Sequence, residues 1–373
     1  MMMLRPKLRA GDWVEVRSKE EILRTLDRRG QLEKMPFMPE MFDYCGRRLR
    51  VVSSAHKTCD TTSGTGGRRM ADAVHLEGVR CAGRDYEGCG AGCLIFWKMA
   101  WLKPVTGPEG VPLADNLTAK APDRNVGCTI EDVQAGTIGE RPTDGSGITY
   151  VCQATQATAA STELHWWDPR QYVEDYLSGN VGIRRMVDGF AYAISADLIR
   201  RTAKWPQVSE ALMSAYDWIQ ARRRGIPFPR RRGTVPPGEK TPMSKLDVQP
   251  GELVRIKPYK EILATVDHNF RNRGMRFDAE LVPFCGGTYK VRSRVSKIVD
   301  EKTGKIFKFK NEAVILDDVY CLSRYSDRRL FCPRAIYSYW REGWLERPNG
   351  TTAHASPAPA NATATASPPP TAS

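Results

Sequence analysis

The chain repeats itself, and that duplication constrains what it can fold into more than any single motif does. Shifted by 240 positions, residues 11–81 fall on 251–321 without a gap. Gly11 meets Gly251, Glu21-Ile22-Leu23 meets Glu261-Ile262-Leu263, Cys45-Gly46 meets Cys285-Gly286, and Cys81 meets Cys321. Three extra residues in the second copy then move the offset to 243. There Cys89, Trp97 and Trp101-Leu102 meet Cys332, Trp340 and Trp344-Leu345. Each copy, about 95 residues long, is a comfortable single-domain size.

Within a copy, the run from Gly11 to Arg17 alternates apolar and polar residues, as a half-buried strand does. Ser18 and Glu21 then have the spacing of a capping box, which opens a short helix with Ile22, Leu23 and Leu26 on one side. Pro258 suits the first turn of the matching helix. Further strands are expected at 48–53, 73–80, 288–293 and 313–320, with Asp300–Gly304 as a hairpin turn. The Gly-Asp-x-Val-x-Val opening is similar to that of SH3-like barrels. The expected fold class is therefore α+β, two SH3-like small β-barrel repeats flanking a mainly helical middle domain.

Composition sets the boundaries. Residues 1–104 are the first, Cys-rich repeat, and 105–221 a middle domain, loop and then helical, with a strand expected at 148–155 and helix from 169 to 223. Residues 222–245 form a basic Pro/Arg linker, 246–348 the second repeat, and 349–373 a disordered Ala/Thr/Pro tail. These stretches carry net charges of +6, −6, +7 and, for the last two together, +6, giving +13 overall. Such a balance excludes an acidic disordered chain and favours anionic partners. No apolar run reaches the roughly 18 residues of a membrane span, and the start lacks a signal-peptide core, so a cytoplasmic protein is expected.

Three cysteines recur, as Cys45/Cys81/Cys89 and Cys285/Cys321/Cys332. Three thiolates leave one position of a tetrahedral zinc site open. Cys93 would fill it in the first copy, with Cys59 or His75 as alternatives; in the second copy the fourth ligand would be water, Asp300 or a group from elsewhere. Structural zinc is the expected cofactor. The alternative is that these cysteines are small buried hydrophobes.

Two other groups of residues bear on function. Cys152 and His165 would make a nucleophile and its base if the fold joined them, with Gln156 and Asp168 nearby in sequence; otherwise Trp166 and Trp167 are core anchors with Cys152 beneath them. The strap holds Arg222, Arg223, Arg224, Arg230, Arg231 and Arg232 around Phe228, a pattern that can track phosphates and stack on a base, or serve as a solvated linker. Thr62–Arg68 is Gly-rich but lacks the Gly-Lys-Ser/Thr ending of a P-loop, and neither H-E-x-x-H nor G-x-S-x-G occurs.

Pro36-Phe-Met-Pro-Glu40-Met with Cys45-Gly, Lys57-Thr-Cys59-Asp60, Val74-His-Leu-Glu-Gly-Val-Arg80-Cys81, Trp166-Trp-Asp-Pro-Arg-Gln-Tyr172, Arg273-Gly274 and Tyr337-Ser-Tyr-Trp-Arg-Glu342 span most of residues 10–347. Together they resemble an uncharacterised family of bacterial tandem-repeat, Cys-containing proteins. That resemblance implies no activity or catalytic residue, only a setting among biosynthetic genes such as those for surface polysaccharide. The expected function is a non-enzymatic, metal-stabilised binding or scaffold protein engaging an anionic polymer, nucleic acid foremost. The rival expectation is an enzyme or accessory protein of a biosynthetic pathway, with its site around Cys152 and His165.

Overall fold

A computed structural model describes residues 8–62, 66–111, 113, 127–139, 147–326 and 328–348. The expected tail from 349 onward lies outside them. In the first repeat come β1 (Trp13–Val16), α1 (Lys19–Leu23), the small hairpin β2 (Gln31–Leu32) and β3 (Met35–Pro36), and a 3-10 helix at Pro39–Tyr44. Next are β4 (Arg48–Ser54), β5 (Lys57–Cys59), β6 (Gly67–Met70), β7 (Ala73–Leu76) and β8 (Trp97–Lys98). A 3-10 turn at Met99–Trp101 leads into β9 (Leu102–Val105). The main sheet has the order β8-β7-β4-β1-β9, antiparallel throughout. Val14 and Val16 are buried while Trp13 and Glu15 are half-exposed, as the alternation requires. The capping box forms: Ser18 Oγ accepts from Glu21 N at 3.3 Å, and Glu21 Oε2 accepts from Ser18 N at 3.0 Å.

The middle segment supplies α2 (Ile130–Ala135), α3 (Gln153–Gln156), β10 (Ser161–Leu164), α4 (Arg170–Leu177), α5 (Ile183–Arg201) and α6 (Pro206–Arg222). The helical expectation for 169–223 holds. The strand expected at 148–155 does not form: one bridge joins Tyr150 to Ile138, and α3 then begins because Cys152 N donates to Thr155 Oγ1 at 3.0 Å. Apolar residues of the segment and the strap's Phe228 pack against both repeats. Cys128, Val133, Tyr150 and Cys152 join the first repeat's core, and Tyr192, Ala196, Ile199, Tyr216 and Phe228 pack with Ala279 and Tyr325 of the second repeat.

In the second repeat β11 (Leu253–Ile256) precedes α7 (Tyr259–Leu263), β12 (Arg271–Asn272), β13 (Met275–Arg276) and a 3-10 helix at Ala279–Phe284. Then come β14 (Thr288–Val299), β15 (Ile306–Leu316), a 3-10 turn at Glu342–Trp344 and β16 (Leu345–Glu346), in the sheet order β15-β14-β11-β16. The two cores use the same parts. Phe37 and Trp101 pack edge to face at 5.1 Å, and Phe277 and Trp344 at 5.2 Å. Trp101 Nε1 donates to Thr25 Oγ1 at 3.1 Å, and Trp344 Nε1 to Thr265 Oγ1 at 2.9 Å.

The repeats grip each other through their hairpins. The β14–β15 hairpin reaches the first repeat and the middle segment, where Gly90 N donates to Lys297 O at 3.0 Å and Tyr150 N to Gly304 O at 2.7 Å. The β5–β6 hairpin reaches the second, where Lys57 Nζ donates to Leu330 O at 2.9 Å. Thr61 and Glu301, equivalent residues of the two hairpins, hydrogen-bond to each other where the hairpins meet. The basic strap is tied down rather than free: Phe228 is buried, Thr234 N donates to Leu263 O at 3.0 Å, and Val235 N to Val266 O at 3.2 Å. Among the described residues no helix is long and apolar enough to cross a membrane.

Candidate functional site

Where the hairpins meet, two cavities adjoin, of about 620 Å3 and 360 Å3. Thr61, Ile336 and Tyr339 border both. They occupy matching places in the two repeats but differ in chemistry. The smaller is lined by Cys81, Cys89, Cys93 and Cys152. The larger is cationic, lined by Arg273, Arg276, Lys308, Lys310, Arg329 and Arg341 against the acidic Asp278 and Glu280, with Phe307, Phe309 and Tyr339 as aromatic wall.

The larger cavity is pre-organised by its own backbone. Arg341 Nη1 donates to Asn311 O at 2.7 Å and its Nη2 to Arg273 O at 3.1 Å, while Arg273 Nε donates to Thr241 O at 2.8 Å. Glu280 is buried and accepts from Tyr325 N at 2.6 Å and Ser326 Oγ at 3.1 Å; burial raises its pKa above the usual carboxylate value. Lys308 and Lys310 form no ion pair among the described residues and are exposed. Their charge is available to a ligand.

The repeated cysteines hold equivalent structural places but do not converge. Cys45 and Cys285 each close a 3-10 helix, donating N–H to Phe42 O at 3.2 Å and to Val282 O at 3.1 Å. Cys81 N donates to Cys93 O at 2.8 Å, and Cys321 N to Ile336 O at 2.7 Å, so Ile336 stands where Cys93 stands. Cys89 Sγ accepts from Val299 N at 3.2 Å across the repeat junction. Among the described residues no group of three or more His, Cys, Asp or Glu is placed to hold a metal ion. Burial raises the pKa of Cys45, Cys81, Cys93, Cys285 and Cys321 above the ordinary thiol value. His75 is buried and held near pKa 4 by desolvation, its Nδ1 2.8 Å from Ile95 O.

Cys59 differs from the other thiols. Cys332 hydrogen-bonds to it, and Arg334, whose Nη1 lies 4.0 Å from its sulfur, adds positive charge; both lower its pKa below the ordinary thiol value. Arg334 Nη2 is itself fixed on Glu301 Oε1 at 2.8 Å. Cys59 borders the larger cavity and is partly exposed, so it is the thiol that reagents should reach as a thiolate. Iodoacetamide is expected to alkylate it at full rate by pH 8, where an ordinary thiol is only about a quarter ionised. Peptide mapping after a short pulse checks this, and Cys59→Ser should remove the fast phase. A fast phase that survives would assign it to another cysteine.

The structure places the remaining sequence candidates as follows. Cys152 is buried beneath the first repeat, whereas His165 is exposed and stacks on Trp167 at 5.1 Å, so the two do not form a dyad. Trp166 and Trp167 are not core anchors, being 52% and 64% exposed. In the strap, Arg223 pairs with Asp188 at 3.0 Å, and Arg231 with Asp217 at 2.7 Å and Glu210 at 2.9 Å. Arg230 Nε donates to Tyr192 Oη at 2.8 Å, and Arg222 lies over the Trp218 ring at 3.2 Å. Arg224 is exposed, and Arg232 borders a separate groove with Arg230 and Arg231. Much of the strap's charge is engaged within the fold. The cavity's own cations lie outside the sequence candidates, although Phe307-Lys308-Phe309-Lys310 alternates visibly. No protein-family model matches the chain, and no curated protein matches it.

Proposed function

We propose that this chain is a non-enzymatic binding protein, built from two SH3-like barrels, that holds an anionic polymer in the cationic cavity of its second repeat. The barrel reading is supported by the strand order β8-β7-β4-β1-β9 with a 3-10 turn directly before the last strand. The shorter β15-β14-β11-β16 order has the same turn before β16. The observation that carries the function is the 620 Å3 cavity, lined by six cationic and two acidic residues beside Phe307, Phe309 and Tyr339. The pairing of Arg223 and Arg231 with carboxylates and of Arg230 with Tyr192 favours the cavity over residues 222–232 as the anion site.

The test uses two labelled probes, a fifteen-residue thymidine oligonucleotide and polyglutamate, followed by anisotropy on the full chain. At least one is expected to bind. For the oligonucleotide, three phosphate contacts would lower affinity by about 10–20-fold between 50 and 200 mM salt. Lys308→Glu with Lys310→Glu should weaken binding by at least about tenfold, and Arg222→Ala, Arg223→Ala and Arg224→Ala together by much less. Binding that ignores salt and the two lysines overturns the proposal.

A further inference from the structure

The two repeats treat one edge of their sheets differently. In the first repeat, hairpin strand β6 has β5 on one side and β10 on the other. Ser161–Leu164 pairs antiparallel with Gly67–Met70, placing Glu163 opposite Arg68. Arg68 also reads the added strand, donating from Nε to Ser161 Oγ and from Nη2 to Ser161 O, both at 2.8 Å. The chain itself therefore shows what this edge accepts: a four-residue extended segment bearing a carboxylate.

In the second repeat the same hairpin is the outer half of β14 and β15, and β15 is the end strand of its sheet. Its later residues are bridged, Val314 to Trp340, but among the described residues no strand pairs with the outer side of Phe307–Lys310. Five successive residues, Phe307 to Asn311, border the 620 Å3 cavity. Side chains of a strand alternate between its faces, so an unbroken run along a cavity means that the strand turns its backbone edge towards it. Asn311 O is already taken by Arg341, which leaves a span as long as β10.

We propose that the open edge of β15 at Phe307–Lys310 takes up an extended acidic segment of a partner polypeptide by strand addition. The inference rests on the anion-binding reading of the cavity and assigns the polymer's class. Main-chain hydrogen bonds would supply affinity, and alternate side chains would fall into the cavity beside Phe307 and Phe309. Charge sets the choice of partner: Lys308 and Lys310 repel another cationic edge and favour carboxylates on the added strand, whose register partner in the first repeat places Glu163 opposite Arg68. Exposed lysines would also keep such an edge from pairing with itself.

The test is anisotropy with a labelled, end-blocked eight-residue peptide of alternating glutamate and valine on the full chain. A second copy of the peptide, N-methylated at every other residue, keeps charge and side chains but loses one hydrogen-bonding edge. The unmodified peptide is expected to bind, and both N-methylation and the Lys308→Glu, Lys310→Glu variant should weaken it at least tenfold. Should that variant fail to fold, the N-methylated arm decides alone. Equal binding of both peptides overturns the inference, because the backbone edge would not be in use. If the thymidine oligonucleotide binds and neither peptide does, strand addition is overturned while the anion-binding cavity stands. If no anionic probe binds, both readings fall together.

Discussion

Asp175→Ala is expected to lower the free energy of unfolding by about 3–5 kcal/mol, because it strands a buried ammonium. Lys57 Nζ lies 2.6 Å from Asp175 Oδ2, 2.9 Å from Leu330 O and 3.3 Å from Gln171 Oε1, with both charged side chains buried. Tyr172 and Phe331 rings lie 5.1 and 5.7 Å from the same ammonium. Desolvation lowers the Lys57 pKa, and Asp175 is the main group opposing that loss. The pair sits where β5 of the first repeat, helix α4 and the second repeat's Leu330 loop meet. Its loss should therefore loosen the repeat junction as well as the local core. Urea denaturation at pH 7 measures the effect. Replacing both partners, Lys57→Met with Asp175→Leu, should recover part of the loss, since it removes the stranded ammonium but leaves the buried His56, 3.2 Å from Asp175 Oδ1, without its acid. A single substitution costing under about 1 kcal/mol would show that water reaches the lysine.

Trp101→Ala and Trp344→Ala should each cost about 3–5 kcal/mol, since each removes a fully buried indole from the centre of its repeat. Both rings meet a phenylalanine edge to face and donate to a threonine hydroxyl that follows the first helix. Phenylalanine in either place should cost less, about 1–3 kcal/mol, which reflects the unpaired threonine and the smaller ring. The two positions should respond alike because the duplication preserved their packing. Thermal and urea unfolding of the four variants check this. A large loss at Trp101 with almost none at Trp344 would mean that the second repeat is held by its neighbours rather than by its own core.

Parts of this architecture were legible because they depend on neighbours in sequence. Ser18 and Glu21 specify a capping box over three residues, and the alternation of Trp13–Val16 specifies a half-buried strand. The turn at Asp300–Gly304 forms because Asp300 Oδ1 accepts from Thr303 N at 2.8 Å. The strand expected at 148–155 failed because a local cap, Thr155 on the Cys152 amide, outweighed β-branched composition. The cysteines recur at equivalent positions of the two repeats, and whether three thiols converge depends on distances that recurrence does not encode.

The sequence by itself determined the duplication, the short elements within each copy, the helices of the middle segment and the basic balance of the ends. Local hydrogen bonding and hydrophobic period set these. Long-range packing set the grip of each hairpin on the opposite repeat, the meeting of Cys59 with Cys332 across 273 positions of sequence, and the inward turn of Arg230 and Arg231. The same packing lets β10 close one repeat's edge, while among the described residues no strand covers the matching edge of β15 beside the cationic cavity. Contacts of that range depend on how whole surfaces pack and exclude water. Two copies with nearly the same local pattern can therefore take different partners.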